Sequence, residues 1–328
     1  MKNVDGHHLT ERGIIGELRR IFNSPPPPAG MGDDCSVIGK GPGALLLSTD
    51  MLSESTHFVA GMTWRERGRM AVSVNLSDIA AMGGRPVALL ISLGIPPDMD
   101  ATAVRRVAAG IAERAAEFGV PVTGGDTKRT GELTIAVTAV GRAGRRLLTR
   151  GGARAGDWIA VTGSLGGAAA AYSAWKEGRR GRPLTALTSP EPRVREGMAL
   201  SDSGMVTAAI DITDGLAASA WYISRASGRR LEISRELIPV SRALEESGAD
   251  RDALEEALIY WGGDYELLFT ARTRRSVDEL AARLETPLTV IGRVGAGSGV
   301  YLNGERRRRL DERGYDAFQA MEAAEGRN

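Results

Sequence analysis

One cysteine, Cys35, stands among 328 residues. A single thiol cannot build a disulfide framework or a cysteine-based zinc site. Cys35 follows Asp34 directly, where neighbouring carboxylates disfavour a thiolate, so it reads as a small packing residue. No stretch reaches the roughly 18 apolar residues a membrane helix needs, and the start of the chain has no signal-peptide-like apolar segment. A cytoplasmic enzyme is the expectation. The formal net charge is only +1, which gives no electrostatic case for nucleic acid. The basic run at 306–309 reads as a solvated turn. There is no Gly-x-x-x-x-Gly-Lys-Ser/Thr phosphate loop, no protein-kinase signature and no fixed-period repeat. Gly163-Ser164-Leu165-Gly166-Gly167 falls between a strand and a helix, but lacks the spacing and the downstream acid of a dinucleotide site. No convincing Ser/His or Cys/His pair is present.

The chain does have acids in short motifs: Gly32-Asp33-Asp34, Ser48-Thr49-Asp50, Asn75-Leu76-Ser77-Asp78, Gly124-Gly125-Asp126 and Asp211-Ile212-Thr213-Asp214-Gly215. Most close an apolar run, which predicts strands that end in a carboxylate at the rim of a sheet. Taken singly, an Asp before Gly is a turn former or helix cap. Taken together, converging acids could not sit unneutralised. Two charges about 4 Å apart repel by roughly 4 kcal/mol at an effective dielectric near 20. All-oxygen donors of this kind suit Mg²⁺, and such sites usually hold substrate phosphates, so phosphoryl transfer is the first reading. Asp211 to Gly215 opens a helix, a geometry that binds phosphate. His57, seven residues after Asp50, reads either as a packed side chain or as one that contacts substrate.

At this length two domains are natural, and hydrophobic and charged fractions of 42% and 25% are ordinary for a globular protein. Periodicity predicts helices over 10–22, 64–82, 101–118, 166–175, 214–227 and 276–284. Strands are predicted over 120–123, 133–140, 158–162, 265–270 and 288–292, with a loop over 181–189. Residues 25–28, all proline, should stop the first helix. The Gly- and Arg-rich stretch 150–157 places the boundary between domains 1–150 and 151–328.

These motifs together resemble the thiamine-monophosphate kinase family, within the aminoimidazole ribonucleotide synthetase-like superfamily. The resemblance rests on the acid motifs above, on Ala71 to Gly83, on Thr149-Arg150-Gly151-Gly152-Ala153 and on Asp264-Tyr265-Glu266-Leu267-Leu268. It runs from about Gly13 to Phe318. Related superfamily enzymes that depend on a reactive N-terminal cysteine or a C-terminal cysteine fit less well, because neither is present.

The resemblance implies an α/β (α+β) protein with an N-terminal dimerising sheet domain and a C-terminal α/β domain, cytoplasmic, working as a homodimer. It implies ATP as donor, several Mg²⁺ ions, and conversion of thiamine monophosphate to thiamine diphosphate by direct in-line transfer. Asp34, Ser48, Thr49, Asp50, Asp78, Asp126, Asp211 and Asp214 would be metal ligands. Gly125, Asp126, Arg150 and Thr213 would hold ATP, with Asp50, Asp126 and Arg150 central to catalysis, and His57 would contact the acceptor. The acceptor is an ionised phosphate, so no general base is needed. A different small acceptor, or a silent nucleotide-binding protein, are the alternatives.

Two positions depart from the family pattern. Gly263 stands where Glu is usual, and Glu312 where Trp is frequent. Trp261 and Glu312 therefore suggest an exchange of roles, Trp261 stacking on the thiazolium cation and Glu312 offsetting its charge. The plainer alternative is a packed Trp261 and a solvated Glu312.

Overall fold

The computed structural model describes residues 10–179 and 184–316. His7 and His8 lie outside them, as does part of the loop expected over 181–189, where Thr185–Thr188 forms a short helix. Two sheets organise the chain. The first has five strands in the order β1-β2-β5-β3-β4: β1 (Ser36–Ile38), β2 (Leu45–Ser53), β3 (Gly84–Ile95), β4 (Val122–Arg129) and β5 (Thr134–Ala143). The pairings are antiparallel except β3 with β4, which run parallel. The second has seven strands in the order β12-β11-β8-β10-β6-β9-β7. These are β6 (Trp158–Thr162), β7 (Val206–Asp211), β8 (Arg230–Ser234), β9 (Leu267–Ala271), β10 (Leu288–Gly295), β11 (Gly299–Asn303) and β12 (Arg308–Arg309). One apolar cluster joins Leu46, Leu76 and Val137 of the first half to Val206, Phe269 and Val290 of the second, so the halves share a core.

The helix Trp64–Ala81 packs on β2, β3 and β5 and also reaches β7 of the other sheet. Thr63 caps it reciprocally with Glu66, and Gly83, at φ 68°, ends it. From Met70 onward nearly every side chain is buried, because small residues such as Ala71, Ser73, Ala80 and Ala81 let neighbours approach on all sides. It crosses the helix Ala101–Glu117 through two glycines. A Cβ on Gly68 would fall 2.2 Å from the Val107 carbonyl oxygen, and one on Gly110 2.0 Å from that of Arg65.

Several strand limits differ from expectation. Asp50 lies inside β2 and Asp126 inside β4, not at their ends. Ser-Thr-Asp and Gly-Gly-Asp read as strand stops, yet β2 is held along its whole length by β5, and β4 is an edge strand where glycine is tolerated. Asp211 does terminate β7, and β6 has the expected limits. The first helix, Glu11–Ile21, starts at its Thr10 cap but buries none of its residues.

The crossing predicts that Gly110→Ala costs about 1–3 kcal/mol, because the backbones must separate. Thermal unfolding would measure it, and an unchanged midpoint would mean the two helices are not in contact there.

Candidate active site

The acids of β2, the long helix and β7 meet at the seam between the sheets. One carboxylate oxygen each from Asp34, Asp78 and Asp211 lie within 4.8 Å of one another. Asp50 stands close enough to Asp78 for its charge to bear on that carboxyl group. Burial, followed by the charge of Asp34, pushes Asp211 up to about 8, and the same two causes push Asp33 up to about 7. Asp78 is raised by burial and by Asp50, and Asp50 by burial. Asp214, in the turn after β7, is pushed up to about 6 by burial and by Glu11.

The Asn-Leu-Ser-Asp block is the frame of this centre. Asn75 accepts a 2.9 Å hydrogen bond from the Asp50 backbone N–H and donates at 3.0 Å to the Ala71 carbonyl. Ser77 donates to Asp211 at 2.6 Å, across the seam, and Asp78 accepts from Ser48. One helical turn therefore orients groups from both sheets. Arg150 supplies the counter-charge: its guanidinium reaches Asp34 Oδ1 at 2.6 Å, and its backbone N–H reaches Asp33 at 3.2 Å. The Asp34 side chain is fully buried, yet its Oδ2 has no partner among the described residues. An orphaned carboxylate oxygen beside two further buried acids fits a hard cation with oxygen ligands. The donors are all oxygen, as Mg²⁺ requires.

Other expected residues fall elsewhere. Thr49 alternates to the opposite face of β2, where its hydroxyl bonds the Val137 carbonyl and Thr138, so that hydroxyl does not enter the acid centre. Asp126 stands exposed on β4 with Lys128 as its ion-pair partner, which holds its carboxyl below the usual range. Gly125 precedes it at φ 150°, and a Cβ there would lie 1.7 Å from the Ile91 carbonyl oxygen. Thr213 sits in the turn after β7, its carbonyl bonded by Gly263 N–H at 2.7 Å. Gly263 itself adopts φ 93°, a conformation L side chains avoid, so glycine there has a backbone reason.

His57 ends the short helix Glu54–His57. Its Nδ1 accepts from Ser53 N–H and lies 2.7 Å from the Thr56 hydroxyl, while burial lowers its pKa. Trp261 is 36% exposed and packs at 5.0 Å against Tyr172, which also meets Trp175 at 5.5 Å. Trp175 donates to the Ala60 carbonyl, three residues beyond His57. This aromatic wall joins the Trp261 and His57 segments, and Trp261 is not a core residue. Glu312 is a correction. Arg12 and Arg225 take its two oxygens, so it offers no free charge to a ligand cation.

Sequence reasoning missed the roles of Asn75 and Ser77, although their spacing from Asp78 held the signal. It also missed Asp264, which accepts from Gly166 and Ala168 N–H groups at 2.7 and 3.1 Å. Asp264 thus occupies the start of the helix Gly167–Lys176, which physically closes the dinucleotide reading of that glycine turn. Glu266 beside it is held bidentately by Arg193 at 2.6 and 2.5 Å.

The first half matches the model of AIR synthase related protein, N-terminal domain, over residues 32–143. The second matches the C-terminal domain of the same family over residues 154–305. The chain is 38% identical over 291 residues to the thiamine-monophosphate kinase of Pyrococcus horikoshii, covering 88% of this chain and 91% of the relative. It is 37% identical to that of Methanospirillum hungatei, covering 94% and 99%. It belongs to the thiamine-monophosphate kinase family. Among solved structures it resembles AaThiL complexed with AMPPCP and TMP, with TM-score 0.83, 29% identity, and 96% and 99% of the two chains covered. Membership therefore covers both sheets and the seam between them.

The raised acids predict a pH effect on the metal-free protein. Asp211 and Asp33 hold protons more tightly folded, near 8 and 7, than their ordinary 3.8. That stabilisation is full below about pH 4 and lost as pH rises through 7 to 8. The metal-free melting temperature should therefore fall between pH 6 and 8.5, and Mg²⁺ should restore more of it at pH 8.5 than at pH 6. A Mg²⁺ shift of equal size at both would show that these acids do not bind it.

Proposed function

We propose that this chain transfers a phosphoryl group from ATP to thiamine monophosphate, giving thiamine diphosphate. The observation that carries it is the converging Asp34, Asp78 and Asp211 group with its orphaned oxygen, in a member of this family. Asp34, Asp50, Asp78 and Asp211 would hold Mg²⁺, with Asp214 at the helix entrance and Ser48 and Ser77 orienting the acids. Bound Mg²⁺ would supply charge neutralisation at the phosphates. Arg150 adds the nearest protein cation. The acceptor phosphate is ionised near neutral pH, so transfer needs alignment and no proton removal. His57 agrees with this, since its Nδ1 is engaged by Ser53 and Thr56. Trp261 and Tyr172 offer an aromatic face to the thiazolium cation. Trp261→Ala should raise KM for thiamine monophosphate about 5- to 30-fold with KM for ATP unchanged. An unaltered acceptor KM would remove Trp261 from the pocket, and no turnover of thiamine monophosphate by the wild type would point to another phosphorylated acceptor.

We also infer a two-fold homodimer built on the first sheet. Its outward face carries Met51 and Leu90, 63% and 40% exposed, and the whole of β4 is open, including Val122 at 45%. An edge strand and apolar face this bare in one copy are what a second copy covers. An open groove of about 590 Å³ lies beside Gly125 and Asp126, walled by Ile91, Leu93, Ile111 and Val122. Its apolar walls suit a purine ring, and Asp126 would face a neighbouring copy's phosphates. Asp50→Asn and Asp126→Asn should each abolish turnover while leaving the protein folded. If Asp126 acts across the interface, mixing the two inactive variants regenerates one intact site per heterodimer, about a quarter of the wild-type rate. No recovery from a mixture that light scattering shows to be exchanged would place both acids in one subunit's site.

A further inference from the structure

Among the described residues the helix Glu11–Ile21 buries no side chain fully, and Ile14 and Leu18 are only half-buried, so polar contacts contribute to its attachment. Its strongest attachment is Arg12, which pairs with Glu312 at 2.6 Å and donates through Nε to the Tyr222 hydroxyl at 3.2 Å. The Arg12 guanidinium carbon also lies 4.7 Å from the Tyr222 ring centroid. The Arg150 guanidinium carbon lies 4.6 Å from that same centroid. Tyr222 and Arg225 are three apart on the helix Leu216–Ser227, so they share a face, and Arg225 is the second partner of Glu312. The groups thus form a chain of alternating charge: Glu312, Arg12, the Tyr222 ring, Arg150 and Asp34.

The last link matters to chemistry. A guanidinium is planar and its donors point in fixed directions, so the surface it stacks on decides which acceptor it can reach. Arg150 directs Nε and Nη2 to the same oxygen, Asp34 Oδ1, and Oδ2 has no partner among the described residues. We propose that Tyr222 is a positioning residue for the Arg150–Asp34 pair, with Arg12 and Glu312 as its outer support. Through it the N-terminal helix acts on the Arg150–Asp34 pair, beside the direct influence of Glu11 on Asp214. This rests on the reading of Asp34 as a metal ligand and Arg150 as a nucleotide contact.

Three variants of the full-length protein test it, with Mg²⁺ affinity read by calorimetry in the absence of nucleotide and KM values read separately. Tyr222→Leu removes the ring and should weaken Mg²⁺ binding and raise KM for ATP, each about 3- to 30-fold, with KM for thiamine monophosphate unmoved. Tyr222→Phe keeps the ring and should stay within about twofold of wild type for both. Arg12→Gln, at a half-exposed position, should give a smaller loss in the same two quantities. A lower melting temperature with unchanged Mg²⁺ affinity in Tyr222→Leu and Arg12→Gln would make the chain merely structural and overturn the proposal. So would equal losses in Tyr222→Phe and Tyr222→Leu. Asp34→Asn is the control. If it leaves Mg²⁺ binding intact, the reading of the centre itself is wrong, and the inference falls with it.

Discussion

Mutual repulsion among buried carboxylates is the constraint on which this structure turns. Asp34, Asp50, Asp78 and Asp211 come from a loop, a strand, a helix and a second sheet, and nothing in local sequence requires them to meet. Each one gathered adds a charge that burial makes costly. The raised proton affinities of Asp78 and Asp211 record that cost. What offsets it is visible: hydroxyl donors from Ser48 and Ser77 and the guanidinium of Arg150. An arrangement that needs so much support is held for what enters its centre.

The long helix Trp64–Ala81 is how that cost is borne structurally. A helix buried on every side usually needs large apolar residues, but here small ones leave room for contacts on several faces. Leu76 and Ile79 are fully buried, each adding roughly 1.5–3 kcal/mol relative to exposure. The intervening Asn75, Ser77 and Asp78 spend that stability on polar tasks. The glycines at its crossing with Ala101–Glu117 serve the same end, because close backbone approach keeps the helix from shifting under charge. Packing and site are therefore one piece of architecture.

Much of this was legible in the sequence, and what was not has identifiable physical reasons. Periodicity located the six helices it predicted but not those at Val194–Ser203 and Arg251–Ile259, and β6, buried by both neighbours, appears where its apolar run predicts. Motif reading identified the acids, and Cys35 is indeed a buried packing residue. It could not tell which acids converge. Asp50 and Asp126 occupy neighbouring rows of one sheet, since Asp50 pairs with Val137 and Met51 with Ala136, which in turn aligns with Ser92 and Asp126. Only alternation across the strands sends Asp50 inward and Asp126 outward. Thr49 is lost from the centre by the same alternation. Glu312 failed for another reason. Its two arginine partners are 300 and 87 residues away, and no local pattern announces an ion pair of that span.

The centre and its aromatic wall are built under different rules. Gly125, Gly262 and Gly263 stand where neighbouring backbone leaves no room for a side chain or where φ is positive, so they answer to geometry. A Cβ on Gly262 would meet the Thr213 carbonyl oxygen at 2.3 Å. Trp261, Tyr172 and Trp175 instead lie partly open, held by ring contacts and by the Trp175 bond to the Ala60 carbonyl. Glu312 is tied to the acid centre, because its carboxylate pairs with two arginines, and through Arg12 and the Tyr222 ring it is connected to Arg150 at the centre it lies outside.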